Sequence, residues 1–384
     1  MIYLHVPFCR SFCTYCDFYS ELCKDGGDLA RYAEGLGEEV SSRSGEIFRN
    51  VSAPDAVNTF YIGGGTPSVL PLDILERLVR LVGDAVYGPE PTSGDWSASG
   101  GRPVSGRGFE EFTIEVNPED IVEKGLDYVK GLLGLGVNRV SMGVQSFDDG
   151  ILRWMNRRHD SARAVEAFRI LRTAGVGNIS LDLIFGLGQL SDRMWEETLD
   201  KALELRPEHI SAYQLSIEEG SALGELARKG RYTEASEQQC RRQYDTLCRR
   251  LSDAGFHHYE VSNFALPGRE ARHNSAYWRR VPYVGLGPGA HSLSPDGVRS
   301  WNSDSLGGWT RSSETLDQEA VRLERIMLPL RTSEGLPSME LRTLADPSIV
   351  DRLIEEAALA ESEGRIHIPE NRFFVSDEII RELV

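Results

Sequence analysis

Cys9, Cys13 and Cys16 fall as C-x3-C-x2-C within IYLHVPFCRSFCTYCDF, three thiols on one short stretch. Thiolates in such a run are the usual ligands of iron–sulfur clusters, and a [4Fe–4S] cube has four irons to ligate. Three protein ligands leave one iron open to another molecule. Zinc is a poorer match, because its structural sites close with four ligands, usually as two paired half-sites. The remaining cysteines, Cys23, Cys240 and Cys248, form no such pair. Disulfides are not expected either: the sequence shows no secretory signal, and a cysteine-sparse chain without one reads as cytoplasmic, where thiols stay reduced.

Other residues with chemical potential are scattered through the first 217 positions. Glycines 63–65, in GGGTPS, leave main-chain N–H and C=O groups bare to a ligand. Glu115 and Asp182 can accept hydrogen bonds from an ammonium or from hydroxyls. Gln145 offers a donor and an acceptor, and Arg157 can grip a carboxylate with two N–H groups. Each has an ordinary structural reading as well. GGGTP also makes a tight turn, a strand-end acid also caps a helix, and Arg157 with Arg158 also suits a solvated helix face. What favours a site is where the elements put them.

Those elements are short β-rich runs alternating with helix-period segments. Strands are expected at Ile2–Val6, Val57–Gly63, Glu111–Val116, Arg139–Gln145, Asn178–Phe185 and His209–Ile217. Helices are expected at Ala30–Phe48, Pro71–Val86, Ala162–Ala174, Asp192–Leu205 and Glu237–Ala254. The alternation implies βαβ units and a parallel sheet. Six units are too few for a closed eight-fold barrel, so the expected class is α/β, a partial (βα)6 barrel, with a doubly wound open sheet as the alternative. In parallel barrels, sites form at the carboxyl ends of the strands. The cysteine loop, GGGTPS, Glu115 with Asn117, Gln145, and Tyr213 with Ser216 fall at successive strand ends, and Asp182 lies within the fifth strand. Convergence of six segments on one rim is the stronger argument.

The expected division is a core over 1–235, a bridging segment over 236–311 and a small C-terminal domain over 312–384. Gly88–Gly108, rich in Gly, Ser and Pro and containing Trp96, is expected to be a mobile surface loop. In the C-terminal part, helices Leu316–Leu330 and Ile349–Ser362 precede strands Arg365–Pro369 and Arg372–Val375 and a final helix, an α+β, winged-helix-like pattern. That pattern suggests nucleic acid, but a net charge of −17 opposes broad binding to a phosphate backbone, so no nucleic-acid partner is expected. No uncharged apolar stretch approaches the roughly 18 residues that span a bilayer.

The cysteine triplet, with Tyr15 before its last member, followed by GGGTP, resembles the radical S-adenosylmethionine (SAM) superfamily. There the open iron chelates SAM, whose reductive cleavage yields a deoxyadenosyl radical. YLHVPFCRSFCTYCDF, YIGGGTPS, EVNPED, SMGVQSF and DLIFGLG are similar to the branch holding oxygen-independent coproporphyrinogen III oxidase and the HemW-type haem chaperones. The likeness runs from Met1 to about Arg331, and more weakly to the end. It implies that Cys9, Cys13 and Cys16 hold the [4Fe–4S] cluster. It assigns Tyr3, Gly64, Gly65, Thr66, Glu115, Gln145, Arg157 and Asp182 to SAM, over one site or two, and lays Tyr15 against adenine.

Three departures separate the chain from the oxidase pattern. Phe18 stands where the oxidase has a fourth cysteine, the sequence shows no extension before the first strand, and RHNSAYW matches the HN-x-x-YW motif of the chaperone branch. The motif implies haem at His273, with Tyr277 and Trp278 as flat apolar faces. His291 is a second candidate ligand. His257 and His258 are expected to face solvent or cap a strand, and Cys23, Cys240 and Cys248 to be plain thiols. The resemblance therefore implies a haem chaperone without physiological turnover that passes haem to acceptor haemoproteins, membrane respiratory proteins among them, and draws on an electron donor. Peripheral membrane association stays open. The oxidase is the alternative, and a radical SAM methyltransferase ranks behind it.

Overall fold

The computed structural model describes residues 1–23, 26–53, 55–88 and 108–384. The Gly88–Gly108 insertion with Trp96 therefore lies, but for its two end residues, outside the described residues. Six strands fall close to the expected places: β1 (Ile2–Val6), β2 (Thr59–Gly64), β3 (Glu111–Val116), β4 (Arg139–Gln145), β5 (Ile179–Phe185) and β6 (His209–Gln214). Their apolar runs are buried on both faces, which is what a parallel sheet covered on each side requires. The class is α/β, as expected.

Helices alternate with them: α1 (Gly26–Ser42), α2 (Leu72–Tyr87), α3 (Pro118–Gly134), α4 (Ser161–Ala174), α5 (Asp192–Leu205) and α6 (Glu237–Asp253). Side-chain oxygens of Asp160, Ser191 and Ser236 cap the first turns of α4, α5 and α6, which fixes where each begins. Periodicity alone would carry α1 through to Phe48. The helix instead breaks at Arg43, whose guanidinium is drawn inward to Glu39, Glu46 and the Gly285 carbonyl, and a separate helix runs Ser44–Val51.

The chain forms two compact units, one of Met1–Leu181, Ser216–Tyr232 and Pro282–Glu314, the other of Asp182–Leu215, Thr233–Val281 and Thr315–Val384. In the first, β1 to β4 lie side by side in chain order, with Ile2 level with Phe60, Thr59 with Glu111, and Thr113 with Arg139. In the second, β7 (His257–Glu260) and β8 (Asn263–Ala265) make a hairpin, and β8 runs antiparallel beside β6. In the first unit again, β9 (Val284–Leu286) pairs in parallel with the free side of β1. YVGLGPGAHS reads as an irregular connection, since a three-residue strand with glycine at its centre carries no detectable alternation.

The C-terminal residues depart from expectation in two places. The helix that begins at Pro347 stops at Glu355, and Ala357 turns the chain with a φ of 53°. Ala360–Ser362 is then a strand, paired with Arg365–His367, which also pairs with Leu336–Pro337. Arg372–Val375 is not a strand but part of a 3-10 turn, Glu370–Val375, whose Phe373 is buried edge-on against His258. Among the described residues no helix is long and apolar enough to cross a membrane.

Candidate functional site

The cysteine loop leaves β1 and is tied at several points. Phe8 and Cys9 pair with Glu21 and Leu22, and the Cys23 N–H donates to the Cys9 carbonyl at 2.9 Å. In the middle, Thr14 donates from its N–H to the Met155 carbonyl (3.1 Å) and from its hydroxyl to the Trp154 carbonyl (2.9 Å). The Leu223 N–H donates to the Thr14 carbonyl at 2.8 Å. Burial pushes the Cys9 thiol up, with the Thr66 hydroxyl pulling against it, and pushes Cys16 up to about 11. The charges of Cys9 and Cys13 both bear on Cys16. Among the described residues no three His, Cys, Asp or Glu side chains gather tightly enough to hold a single metal ion.

The glycine loop after β2 passes against β1 so closely that side chains are excluded. Gly64 has a φ of 111°, and a Cβ there would sit 2.7 Å from the His5 ring; one on Gly65 would sit 2.8 Å from the Phe8 carbonyl. His5 is fixed by the Tyr3 hydroxyl at 3.1 Å and the Tyr19 carbonyl at 3.0 Å, and burial lowers its pKa. Glu115, at the end of β3, accepts from the Tyr61 hydroxyl (2.8 Å) and from the Gly64 N–H (3.2 Å). Behind the loop, Ser68 donates to Asp120 at 2.7 Å, and the Lys124 ammonium caps the Ser68, Val69 and Leu70 carbonyls.

Arg157 ties the pieces together. Its Nη1 donates to Cys13 Sγ at 3.3 Å, and its Nη2 to Asn117 Oδ1 at 2.5 Å and the Gly143 carbonyl at 2.7 Å. Asn117 Nδ2 donates to Thr66 Oγ1 at 3.2 Å, and Thr66 Oγ1 lies 3.5 Å from Cys9 Sγ. Gln145, with a φ of 66°, turns its amide back so that a Cβ on Gly143 would meet Gln145 Nε2 at 3.0 Å and Asn117 Oδ1 at 3.3 Å. Arg157 is therefore no solvated helix face. Arg158 pairs with Glu123 at 3.2 Å, and Glu119 accepts from His159 at 3.2 Å. Burial would raise Glu119, but His159 and Arg157 hold it down at about 2. Tyr15 stands beside Cys13 and Arg157, and burial pushes its hydroxyl up.

Tyr3, Tyr15, Gly64, Gly65, Thr66, Glu115, Gln145 and Arg157 thus share the first unit with the three cysteines. Asp182 belongs to the second unit, half-buried in β5. In that unit RHNSAYW forms α7 (Arg272–Trp278). His273 is 1% exposed, and its Nε2 lies 3.1 Å from the Tyr277 hydroxyl, the two rings meeting edge to face. Trp278 is half-buried. His291 is exposed and stacks on Trp301.

His258 corrects an expectation. It is buried, stacked on Phe264 at 4.0 Å, and burial lowers its pKa to about 4; only His257 is exposed. Cys248 lies 3.8 Å from its Nδ1, and burial pushes that thiol up to about 12.

Sequence reasoning missed three polar groups of this constellation: His5 and Tyr61 altogether, and the linking role of Asn117. Nothing in the sequence marks Tyr61; only the strand pairing places it. The β2–β3 register puts Ile62 level with Ile114, so Glu115 is brought beside the residues around Gly63.

Successive parallel strands that present a three-cysteine loop, a glycine loop, an acid, an amide and an arginine at their carboxyl ends define a radical SAM protein. The radical SAM superfamily model matches residues 3–202. In structure, the chain resembles the Escherichia coli coproporphyrinogen III oxidase HemN, a radical SAM enzyme, with a TM-score of 0.77 at 20% identity over 99% of this chain and 89% of that one. In sequence, it is 30% identical to the heme chaperone HemW of Lactococcus lactis over 100% of this chain and 96% of the relative. It is 32% identical to heme chaperone HemW of Synechocystis over 88% and 79%. The chain belongs to the HemW family within the radical SAM superfamily.

Proposed function

We propose that this protein binds a [4Fe–4S] cluster through Cys9, Cys13 and Cys16, holds SAM against it, and carries haem to acceptor haemoproteins. The observation that carries the reading is the link from Cys9 through Thr66, Asn117 and Arg157 to Cys13. Hydroxyl and guanidinium donors aimed at two thiols are what thiolate ligands of a cluster need, since each sulfur must be held deprotonated. When bound, the cluster supplies an open iron and one-electron chemistry. Around it, Gly64 and Gly65 let the loop seat against β1 with its main chain bare of side chains, Glu115 and Gln145 offer polar atoms, and Arg157 brings a positive charge suited to a carboxylate. Asp182 and Tyr3 complete the proposed SAM set.

Haem is proposed to bind at His273, flanked by Tyr277 and Trp278, a neutral imidazole being a suitable haem-iron ligand. An electron donor is required, because nothing in the donor set reduces a cluster. The test has two parts. Anaerobic reconstitution should give about four irons per chain, lost in Cys13→Ala, with the reduced-cluster spectrum perturbed by SAM. Haem titration should give a Soret shift that His273→Ala weakens. Stoichiometric zinc in place of iron would overturn the cluster, and an undiminished Soret shift in the variant would move the haem ligand elsewhere. Steady protoporphyrinogen formation from coproporphyrinogen III would turn the reading towards the oxidase.

A further inference from the structure

Asn117 occupies the N-cap position of α3, with Pro118 behind it, yet its side chain makes no capping hydrogen bond. Asparagine is among the best N-cap residues, because its oxygen can accept from an N–H of the first turn, typically worth about 1 kcal/mol. Here that oxygen accepts from Arg157 Nη2, and the amide nitrogen donates to Thr66 Oγ1. The helix goes without a cap while both ends of the carboxamide serve the site. The main chain does not depend on this arrangement, since the Asn117 N–H donates to Ser68 Oγ at 3.0 Å.

Each partner of the carboxamide ends on a thiol. Because Thr66 Oγ1 accepts from Asn117, its own proton is left to point at Cys9 Sγ, 3.5 Å away. Because Arg157 Nη2 is occupied by Asn117 and the Gly143 carbonyl, Nη1 is left for Cys13 Sγ. Hydrogen bonds to ligand sulfurs are among the terms that set the reduction potential of an iron–sulfur cluster. We infer that Asn117 is a positioning residue that sets the electron affinity of the cluster by aiming one donor at each of two cysteine ligands. This rests on the cluster reading above and goes beyond it, since neither thiol touches Asn117 itself.

The experiment is a redox titration of the reconstituted full chain, followed by the spectrum of the reduced cluster. Asn117→Ser keeps a cap-competent oxygen but cannot span Thr66 and Arg157. Its cluster should show a tenfold lower ratio of reduced to oxidised form at a fixed potential, a midpoint 59 mV lower for one electron. Its resistance to unfolding should equal or exceed that of the parent, because serine caps α3. Thr66→Val should shift the midpoint the same way, and Thr66→Ser should restore it; this pair decides the matter if Asn117→Ser loses its cluster. A full cluster with an unchanged midpoint in Asn117→Ser and Thr66→Val overturns the inference, as does a loss of stability with no change in potential. A parent chain that takes up no iron fails the cluster reading first, and is told apart by iron content alone.

Discussion

On the proposed haem site, Tyr277→Phe should tighten haem binding, which is an unusual direction for a substitution beside a ligand. In α7 the Tyr277 hydroxyl lies 3.1 Å from His273 Nε2, and that nitrogen is a natural one to offer to haem iron. Ligation through it requires the hydrogen bond to open. A neutral intramolecular hydrogen bond contributes about 1 kcal/mol net, so its removal from the free state should raise the affinity about fivefold. The aromatic ring stays, and with it the edge-to-face contact at a centroid distance of 5.1 Å. The packing of the motif is therefore conserved, unlike in Tyr277→Ala. The assay is a Soret titration of the full chain with haem, run beside the parent and His273→Ala. An affinity that is unchanged or weaker in Tyr277→Phe, while His273→Ala still weakens the Soret shift, refutes the reasoning: the nitrogen held by Tyr277 would not be the one that meets the iron.

Gly64→Ala should lose roughly 2–4 kcal/mol in urea unfolding, combining the cost of an L-residue at a φ of 111° with displacement of His5 from two hydrogen bonds; a loss under 1 kcal/mol would mean that the loop relaxes freely. In the β7–β8 hairpin, burial pushes Glu260 up to about 7 and His258 down to about 4. Folding therefore favours protonated Glu260, so its contribution falls as pH rises from about 4.5 to about 7; it also favours neutral His258, whose contribution rises from about 4 to about 6.5. The two slopes oppose each other over most of that window, so Glu260→Gln should leave melting temperatures that climb from pH 4 to 6.5, and His258→Gln ones that decline from pH 4.5 to 7. Parallel profiles for both variants and the parent would contradict the assignment.

How far the sequence reveals this molecule depends on the reach of each interaction. β1 to β5 are legible because strands buried on both faces are short runs rich in apolar and β-branched residues, and α5 is legible end to end because Ser191 supplies its cap. Val284–Leu286 is not, since only its parallel pairing with β1 makes it a strand. The apolar triplet Phe373–Val375 looks like a strand, but Phe373 and Phe374 instead pack against His258 and Tyr244 from 115 and 130 positions back. The site divides in the same way. Cysteines three and four apart announce themselves by spacing, and GGG by its lack of side chains. Asn117, Tyr61 and His5 are silent because their partners lie 2 to 54 residues away, in the loops after other strands, on another strand or on the same face of their own. What joins them is register. With Ile62 level with Ile114 and Thr113 level with Arg139, the ends of β2, β3 and β4 present Gly64, Glu115, Asn117 and Gly143 together. A slip of one residue in either pairing would turn Glu115 from the glycine loop or Asn117 from Arg157. The apolar cores of the strands, which carry no chemistry, are thus what aims the polar groups at the two thiols.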